Sequence, residues 1–193
     1  VAGDERLELL INNAGFGVEC RFHEEEIERQ LEMIRLNVEA LVRLTHAALR
    51  PMVERGHGAI INVSSGAGFA PAPFFAVYAA TKAFVTSFTQ AVHEEVASRG
   101  VRLQVLCPGF TRTEFQQVAG VDSSRFPGFM WQTPEEVARA SLEALRKGRL
   151  VCIPGYVNQA LLAVRGPIGQ VLTRKIFAWT GEQARRKQSG QQG

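Results

Sequence analysis

The stretch from Ala59 to Lys82 constrains the fold more than any other part of the sequence. Its first five residues, Ala59–Val63, are almost entirely apolar, without the alternation of a half-exposed strand. They predict a central parallel strand that helices cover on both faces. A loop of small residues carrying Ser64 and Ser65 follows, and a helix is expected from about Ala76 to Ser98. The stretch therefore predicts a strand, a loop and a helix in that order.

The same order of strand and helix repeats along the rest of the chain. Short apolar runs bounded by turn residues predict strands, and apolar residues at helical spacing predict helices. Further strands are expected at 7–11, 101–106 and 150–153, and further helices at about 24–54 and 133–147. This alternation is typical of an α/β fold whose doubly wound parallel sheet has helices on both faces. The 193 residues are expected to form one such domain.

Composition and charge narrow the class of function. The net charge is only +3, with much of the excess in a basic tail around Arg185–Lys187, so a nucleic-acid-binding module has little support. Cys20, Cys107 and Cys152 are widely spaced and the four histidines show no ligand spacing, which argues against disulfides and a metal site. Reduced thiols, with no signal segment and no spanning apolar run, predict a cytoplasmic protein.

Tyr78 and Lys82 lie four residues apart on the predicted helix, so their side chains share one face. A nearby ammonium stabilises a phenolate, so we expect the tyrosine pKa to fall below its ordinary value of about 10. Such a tyrosine exchanges a proton with a carbonyl or alcohol oxygen, and Ser65 can hold the same oxygen. The alternative is a packed tyrosine beside a solvated lysine, since this spacing is common on helices. The serine pair at the strand end favours the proton-transfer site.

Two further groups of polar residues have both a structural and a functional interpretation. Asn12–Gly15 follows the first strand, and it is either a simple turn or a place where small residues let the backbone approach a flat ligand. Asn37 lies within an apolar helical stripe. It is either a polar residue satisfied by a neighbour or part of a helix irregularity that holds a water.

Pro108–Thr113 follows the third predicted strand and is either a turn or a set of groups placed for an amide or a phosphate. Because the carboxyl ends of parallel strands meet at one rim, it should lie beside Asn12–Gly15 and Ser64–Ser65. The loop region 110–132 carries five aromatic residues and has a length typical of functional loops. We expect it to bind substrate, and its aromatics favour an apolar or extended one, lipid-like or steroid-like. Ordinary lid packing is the alternative.

Taken together, these segments closely resemble the classical short-chain dehydrogenase/reductase family. The resemblance covers most of residues 7–115 and depends on motifs in a fixed order: NNAG at 12–15, the asparagine of LNV at 37, NVSS at 62–65, YAATK at 78–82 and PGFTRT at 108–113. It implies a Rossmann-like fold and hydride transfer between a nicotinamide cofactor and a carbonyl or alcohol carbon. The cofactor is NAD or NADP, without a preference between them.

The resemblance also implies roles for individual residues. Tyr78 matches the family's general acid/base, and Lys82 matches the lysine that lowers its pKa and holds the nicotinamide ribose. Ser65 matches the serine that orients the substrate carbonyl, and Asn37 matches the asparagine that supports a proton-relay water. The implied cofactor contacts, besides Tyr78 and Lys82, are Asn12 on the adenosine side with Ala14 and Gly15 of the same motif, and Pro108, Gly109, Thr111 and Thr113 around the nicotinamide.

One departure from the family is large. Its glycine-rich turn, which places the pyrophosphate at a helix N-terminus, should precede NNAG by well over fifty residues, and only eleven residues precede Asn12. The chain is therefore expected to be a Rossmann-like domain truncated at the N-terminus, with an exposed apolar edge at 7–11 and little affinity for dinucleotide. The alternative to an active oxidoreductase is an impaired fragment or regulatory subunit that pairs with a complete homologue.

The C-terminal segment 156–193 is expected to be a helical extension followed by the basic tail. It is interpreted as a pocket lid or a subunit contact, with binding to a membrane surface as a minor alternative. The resemblance implies a homodimer or homotetramer built through the two long helices at about 28–54 and 76–98. The expected partner beyond these is a small carbonyl or alcohol substrate.

Overall fold

A computed structural model of the chain describes residues 6–123 and 126–163. It contains a four-stranded parallel sheet whose strands are adjacent in chain order: β1 (Leu9–Asn12), β2 (Gly58–Val63), β3 (Val101–Leu106) and β4 (Val151–Cys152). Each predicted strand is present, with small shifts at its ends. Parallel neighbours need long crossover connections, and these carry the helices.

The described helices follow the predicted order. The α-helices are α1 (Ile27–Ile34), α2 (Leu41–Arg55), α3 (Ala76–Val96), α4 (Phe115–Ala119), α5 (Pro134–Arg146) and α6 (Tyr156–Ala163). A π-helical segment spans Arg35–Ala40, and short 3₁₀ segments span Gly66–Phe69, Ala97–Arg99 and Gly128–Met130.

Helices cover both faces of the sheet, and each face has its own apolar core. On one face α2 and α3 pack on the strands through Ala48, Met52, Ile60, Val96, Val101 and Leu103. On the other face α5 packs through Ala59, Ile61, Leu106, Val137, Ala144, Leu145 and Cys152. Neighbouring residues of β2 belong to different cores because successive side chains of a strand point to opposite faces. The doubly wound α/β fold is confirmed.

The helix expected at 24–54 is two α-helices joined by the π-helical segment at Arg35–Ala40. Its buried residues Met33, Asn37, Leu41 and Thr45 follow one another at intervals of four. Four residues of an α-helix turn through about 400°, so repeated intervals of four drift away from the core. A wider turn keeps these side chains on one face. Both interpretations of Asn37 are met in part: the helix is irregular there, and the side chain is satisfied by its neighbours, while the water at this position stays a prediction.

The start of α5 follows the sequence closely. The Thr133 hydroxyl accepts a hydrogen bond from the Glu136 N–H at 3.2 Å, and the Glu136 carboxylate accepts one from the Thr133 N–H at 2.8 Å. Pro134 occupies the first helical position, where its missing N–H costs nothing. This reciprocal capping box fixes where the helix begins on the second face of the sheet.

The region 110–132 is more regular than predicted, because it contains α4 and the 3₁₀ segment Gly128–Met130. Three of its aromatic residues pack on one another. The ring centres of Phe110 and Phe126 are 4.1 Å apart, and those of Phe110 and Trp131 are 5.4 Å apart. Mutual packing therefore accounts for these three aromatics, in agreement with the interpretation of ordinary lid packing.

Two expectations concern the ends of the chain. Within the described residues β1 pairs only with β2, and Ile11 is 50% exposed, as expected for an apolar edge. Of the expected C-terminal extension, α6 is observed, while residues 164–193, with the basic tail, lie outside the described residues. In the part of the chain that the structure describes, every helix is too short or too polar to cross a membrane.

Candidate active site

The loops after β1, β2 and β3 begin at one edge of the sheet. The strands are in register there, with Asn12 opposite Asn62 and with Val63 opposite Leu106. The loops after β2 and β3 are also tied together, because the N–H of Gly66 donates to the carbonyl of Pro108 at 2.8 Å. The rim predicted from the sequence is therefore formed.

The two serines after β2 have different surroundings. Ser64 is 3% exposed, and its hydroxyl donates to the carbonyl of Lys82 at 2.7 Å, so it joins the strand end to α3. Ser65 accepts a hydrogen bond from the Ala67 N–H at 3.1 Å, and its hydroxyl lies close enough to Tyr78 to lower the pKa of the phenol. Of the serine pair, Ser65 is the one that faces the phenol, as predicted.

Tyr78 and Lys82 lie one turn apart on α3, and both are nearly buried, at 9% and 6% exposed. The ammonium nitrogen of Lys82 donates to the carbonyl of Val63 at 2.9 Å and lies 5.7 Å from the centre of the Tyr78 ring. The end of β2 thus supplies both the hydroxyl of Ser65 and a carbonyl that holds Lys82. The three predicted side chains are brought together.

The pKa values of this group differ from the expectation. Burial raises the pKa of Tyr78 to about 12, and the hydrogen bond from Ser65 offsets only part of this effect. Burial lowers the pKa of Lys82 to about 8, opposed in part by its electrostatic interaction with Cys107. The prediction that Lys82 lowers the tyrosine pKa below 10 is wrong for this structure, because desolvation of the phenolate outweighs the nearby positive charge. Tyr78 consequently carries its proton at neutral pH.

Asn37 is 1% exposed and its amide is fully engaged. The side chain accepts a hydrogen bond from the Phe16 N–H at 3.1 Å, and it donates to the Phe16 carbonyl at 2.9 Å and to the Thr81 hydroxyl at 3.2 Å. Thr81 is adjacent to Lys82 on α3, so Asn37 connects the loop after β1 to the helix that carries the lysine. Sequence reasoning missed Thr81, since a threonine on a helix gives no signal of its own.

The loop after β1 brings exposed backbone close to Asn37 and Lys82. Ala14 and Gly15 are exposed. A β-carbon placed on Gly15 would lie 2.7 Å from Oδ1 of Asn37 and 3.5 Å from the Lys82 nitrogen. Glycine at this position therefore allows the backbone to pass directly over Asn37, beside the ammonium.

Asn12 lies deeper than the rest of its motif, at 7% exposed. Its amide nitrogen donates to Thr45 at 3.1 Å and to Asn62 at 2.8 Å, and Asn62 in turn donates to Thr89 at 3.0 Å. Its Oδ1 atom is buried without a hydrogen-bond partner within the described residues. Asn12 thus cross-links β1, β2 and the two helices above them, a set of contacts between distant residues that the sequence does not reveal.

The two threonines of the segment Pro108–Thr113 make local hydrogen bonds. Thr111 donates to the carbonyl of Gly109 at 3.3 Å, and the hydroxyl of Thr113 accepts from the N–H of Phe115 at 3.2 Å. Gly109 lies directly under Asn158, whose side-chain atoms occupy the position that a β-carbon on residue 109 would take. Asn158, from α6, is a further residue that holds this segment and that the sequence did not indicate.

An aromatic cluster surrounds the Tyr78 ring. The centre of Phe115, the first residue of α4, lies 5.3 Å from the centre of Tyr78, and that of Phe75 lies 6.1 Å away in an edge-on arrangement. Gly17 is buried between Tyr78 and Phe115. These contacts explain why the phenol is desolvated. They depend on how the region 110–132 folds back, which the sequence pattern does not specify.

The same region forms an open groove of about 630 Å³. Its walls are Arg112, Thr113, Glu114, Gln116, Gln117, Ser123, Phe126, Gly128 and Trp131, and none of Ser65, Tyr78 and Lys82 lines it. The guanidinium of Arg112 lies 5.9 Å from the centre of the Trp131 ring. Across the described ranges, no three His, Cys, Asp or Glu side chains gather as a metal site requires.

Several known proteins resemble this chain in sequence. Among curated proteins the chain is 32% identical over 173 residues to the very-long-chain 3-oxoacyl-CoA reductase of Rattus norvegicus, covering 88% of this chain and 52% of the relative. It is 30% identical over 182 residues to the ketoacyl reductase HetN of Nostoc sp., covering 91% of this chain and 62% of that protein. The chain thus spans about half the length of the reductase from rat.

Solved structures agree with the sequence relatives. A short-chain dehydrogenase from Sphingobium yanoikuyae in complex with NADPH matches with a TM-score of 0.75 and 33% identity, covering 86% of this chain and 68% of that one. One from Burkholderia cenocepacia J2315 in complex with NADP matches with a TM-score of 0.75 and 26% identity, covering 88% and 68%. These TM-scores confirm the Rossmann-like parallel sheet.

A sequence model described as short chain dehydrogenase matches residues 2–123. That range holds every residue predicted for the site, from Asn12 to Thr113. Since the match also extends over more than half of the chain, this protein belongs to the short-chain dehydrogenase family.

Proposed function

We propose that this chain carries the proton-transfer and substrate-binding part of an NAD(P)-dependent oxidoreductase that interconverts a carbonyl and an alcohol in an apolar substrate. The observation that carries the proposal is the meeting of Ser65, Tyr78 and Lys82 at the strand rim, beside the open backbone of Ala14 and Gly15. A phenol, a hydroxyl and an ammonium at one place suit proton exchange with an oxygen atom.

The residues present fit the nicotinamide end of a dinucleotide. The backbone at Gly15 is exposed and has no side chain to block a flat ring or a ribose, and the Lys82 ammonium lies beside it. Pro108–Thr113 borders the same rim and would contact the nicotinamide, while Asn12 still has a buried oxygen free to accept a hydrogen bond. NAD and NADP fit these contacts equally. The relatives from Sphingobium and Burkholderia bind NADPH and NADP, which supports this class of cofactor.

The chain's own residues act on the substrate oxygen. Tyr78 keeps its proton at neutral pH, so in the direction of reduction it donates that proton to the carbonyl oxygen. Ser65 donates a hydrogen bond to the same oxygen and orients it. Lys82, which is still mostly protonated at pH 7, stabilises the phenolate that remains. The nicotinamide cofactor, when bound, supplies the hydride for the carbonyl carbon or accepts it in the reverse reaction. Asn37 supports the turn of α3 that carries Tyr78, because it donates to Thr81, whose hydroxyl donates to the Tyr78 carbonyl at 2.7 Å. A relay water at the irregular turn around Asn37 is part of the proposal.

An apolar substrate is supported by two features. Phe75, Phe115 and Gly17 surround the Tyr78 ring with apolar surface, which favours an apolar substituent beside it. The rat relative is named a very-long-chain 3-oxoacyl-CoA reductase, which is consistent with an acyl chain. The groove at 110–132 is the proposed path for the rest of the substrate.

The test is turnover of NADPH or NADH by the purified chain with a 3-oxoacyl thioester or a simple ketone. Tyr78→Phe is expected to reduce kcat at least 100-fold, because only the proton donor is lost. The matched control is Tyr156→Phe. Tyr156 is the second of the two tyrosines and is 90% exposed, so its loss should leave the rate unchanged. Measurable turnover that is equal in wild type and Tyr78→Phe would refute the proposed role.

A second candidate is a regulatory subunit that pairs with a complete homologue. Exposed apolar side chains on the long helices favour a protein contact there, with Leu44 on α2 and Phe84 on α3 at 38% and 42% exposed. The same surface suits the homodimer or homotetramer that we propose for the active enzyme. Sedimentation with and without a full-length homologue distinguishes a self-associating enzyme from a regulatory subunit, since only the regulatory subunit is expected to form a complex with the second protein. A cytoplasmic location, proposed from three widely spaced cysteines without a paired motif, is tested by cell fractionation.

A further inference from the structure

The phenol of Tyr78 is enclosed by residues from three separate segments. Phe75 precedes it at the start of α3, Gly17 comes from the loop after β1, and Phe115 is the first residue of α4. A β-carbon on Gly17 would lie 2.9 Å from the tip of the Phe115 ring and 3.1 Å from the ring of Tyr78. The three groups are therefore in close contact, with no room for an added atom.

Two backbone hydrogen bonds hold this enclosure in place. The N–H of Glu19 donates to the carbonyl of Ala119 at the end of α4 at 2.9 Å, and the N–H of Cys20 donates to the carbonyl of Phe74 at 2.9 Å. The loop after β1 is thus fixed at one point to α4 and at another to the start of α3. Phe74 has φ +69°, a left-handed conformation that a non-glycine residue adopts only when its surroundings impose it. The backbone around Tyr78 is consequently well determined.

Phe115 differs from the other two members of the enclosure. Gly17 has no side chain to change, and Phe75 lies on the same helix as the tyrosine. Phe115 is half-buried and belongs to the region of the proposed substrate groove, in which the next residue, Gln116, forms part of the wall. Phe115 therefore contacts the Tyr78 ring and lies next in the chain to a residue of the groove wall.

We propose that Phe115 is a specificity-determining residue that limits the size of the carbonyl substituent lying next to Tyr78. This inference depends on the proposed function and adds a substrate class to it, namely ketones and secondary alcohols that have one slender, unbranched apolar substituent. A bulky or branched group at this side would collide with the ring of Phe115, which cannot retreat toward Gly17. The other substituent lies along the groove.

The first measurement needs no turnover. In a Tyr156→Phe background Tyr78 is the only tyrosine, so tyrosinate absorbance reports its ionisation alone. At pH 11 the phenol should remain largely neutral, since its pKa is about 12. In Phe115→Ala the absorbance should increase several-fold as the phenol gains solvent, whereas Phe129→Ala, which removes a 73% exposed ring from the same region, should not change it. Circular dichroism at the same pH verifies that each variant is folded, and Phe115→Leu provides a milder change if the alanine variant does not fold.

The second measurement is the binding of 2-butanone and of benzophenone by ligand-observed NMR, with NADPH present. Phe115→Ala should bind benzophenone at least tenfold more tightly than wild type, with little change for 2-butanone, and Phe129→Ala should resemble wild type. Benzophenone affinity that is the same in wild type and Phe115→Ala, or no binding of either ketone, overturns the assignment. Size-dependent binding without turnover in any variant refutes the proposed reaction and leaves the role of Phe115 supported. Turnover with the same size preference in wild type and Phe115→Ala supports the proposed reaction and refutes the role of Phe115.

Discussion

Replacing Lys82 with methionine is expected to remove a pH dependence of stability that the buried ammonium creates. Burial lowers the pKa of Lys82 from 10.5 to about 8, and the side chain is only 6% exposed. Between these two pH values the unfolded chain holds a proton that the folded chain has released. Rising pH therefore favours the folded state, and the stability of the wild type should increase from about pH 8 to about pH 10.5.

The magnitude follows from the same pKa values. One pKa unit corresponds to about 1.4 kcal/mol, so the change from 10.5 to about 8 corresponds to about 3 kcal/mol of unfolding free energy across this range. Lys82→Met also removes the hydrogen bond to the carbonyl of Val63, which costs about 1–3 kcal/mol at every pH. The variant can therefore be near wild-type stability at pH 7. Only the pH dependence of the difference identifies the buried charge.

Urea unfolding followed by tryptophan fluorescence at pH 7, 8, 9 and 10 measures this difference. The range ends at pH 10 because ionisation of Tyr78 changes the stability in the opposite direction above that pH. With its pKa raised to about 12, the folded chain keeps the phenolic proton that the unfolded chain loses near pH 10, so stability falls between those values. Lys147→Met is the control, because Lys147 is 57% exposed and paired with Glu143 at the surface. A constant difference between wild type and Lys82→Met over this range would refute the reasoning.

Two other substitutions test contacts around the rim. Gly109→Ala should lower the free energy of unfolding by about 1–3 kcal/mol, because the new methyl group meets the side chain of Asn158. Most of this loss should disappear in an Asn158→Ala background. Additive losses of the two substitutions in chemical denaturation would contradict the contact. Asn37→Asp should cost about 3 kcal/mol, because a carboxylate oxygen would then face the Phe16 carbonyl that the amide now satisfies. Thermal unfolding within 1 °C of wild type would contradict that hydrogen bond.

Features that depend on residues close together in the chain could be predicted from the sequence. The spacing of Tyr78 and Lys82 places them on one face of α3, and the run Thr133–Glu136 marks the start of α5. The strand at Ala59–Val63 is apolar on both faces because two separate cores lie against it. In each case the local pattern and the tertiary environment require the same residues.

Features that depend on distant contacts could not be predicted in this way. The predicted sign of the Tyr78 pKa change was wrong because burial sets that sign, and part of the burial comes from Phe115, 37 positions further along the chain. The hydrogen bonds between Asn12, Asn62 and Thr89 likewise join three elements. Neither composition nor periodicity carries information about such pairs.

The π-helical segment Arg35–Ala40 has a consequence for changes of chain length. Deletion of one residue between Asn37 and Leu41 would restore a continuous α-helix, in which Met33, Asn37, Leu41 and Thr45 are separated by four, three and four positions. Eleven residues of an α-helix turn through about 1100°, close to three full turns, so α1 and α2 would keep the same faces toward the core. The segment thus accommodates one residue more than a regular helix needs, without rotating the helices on either side of it.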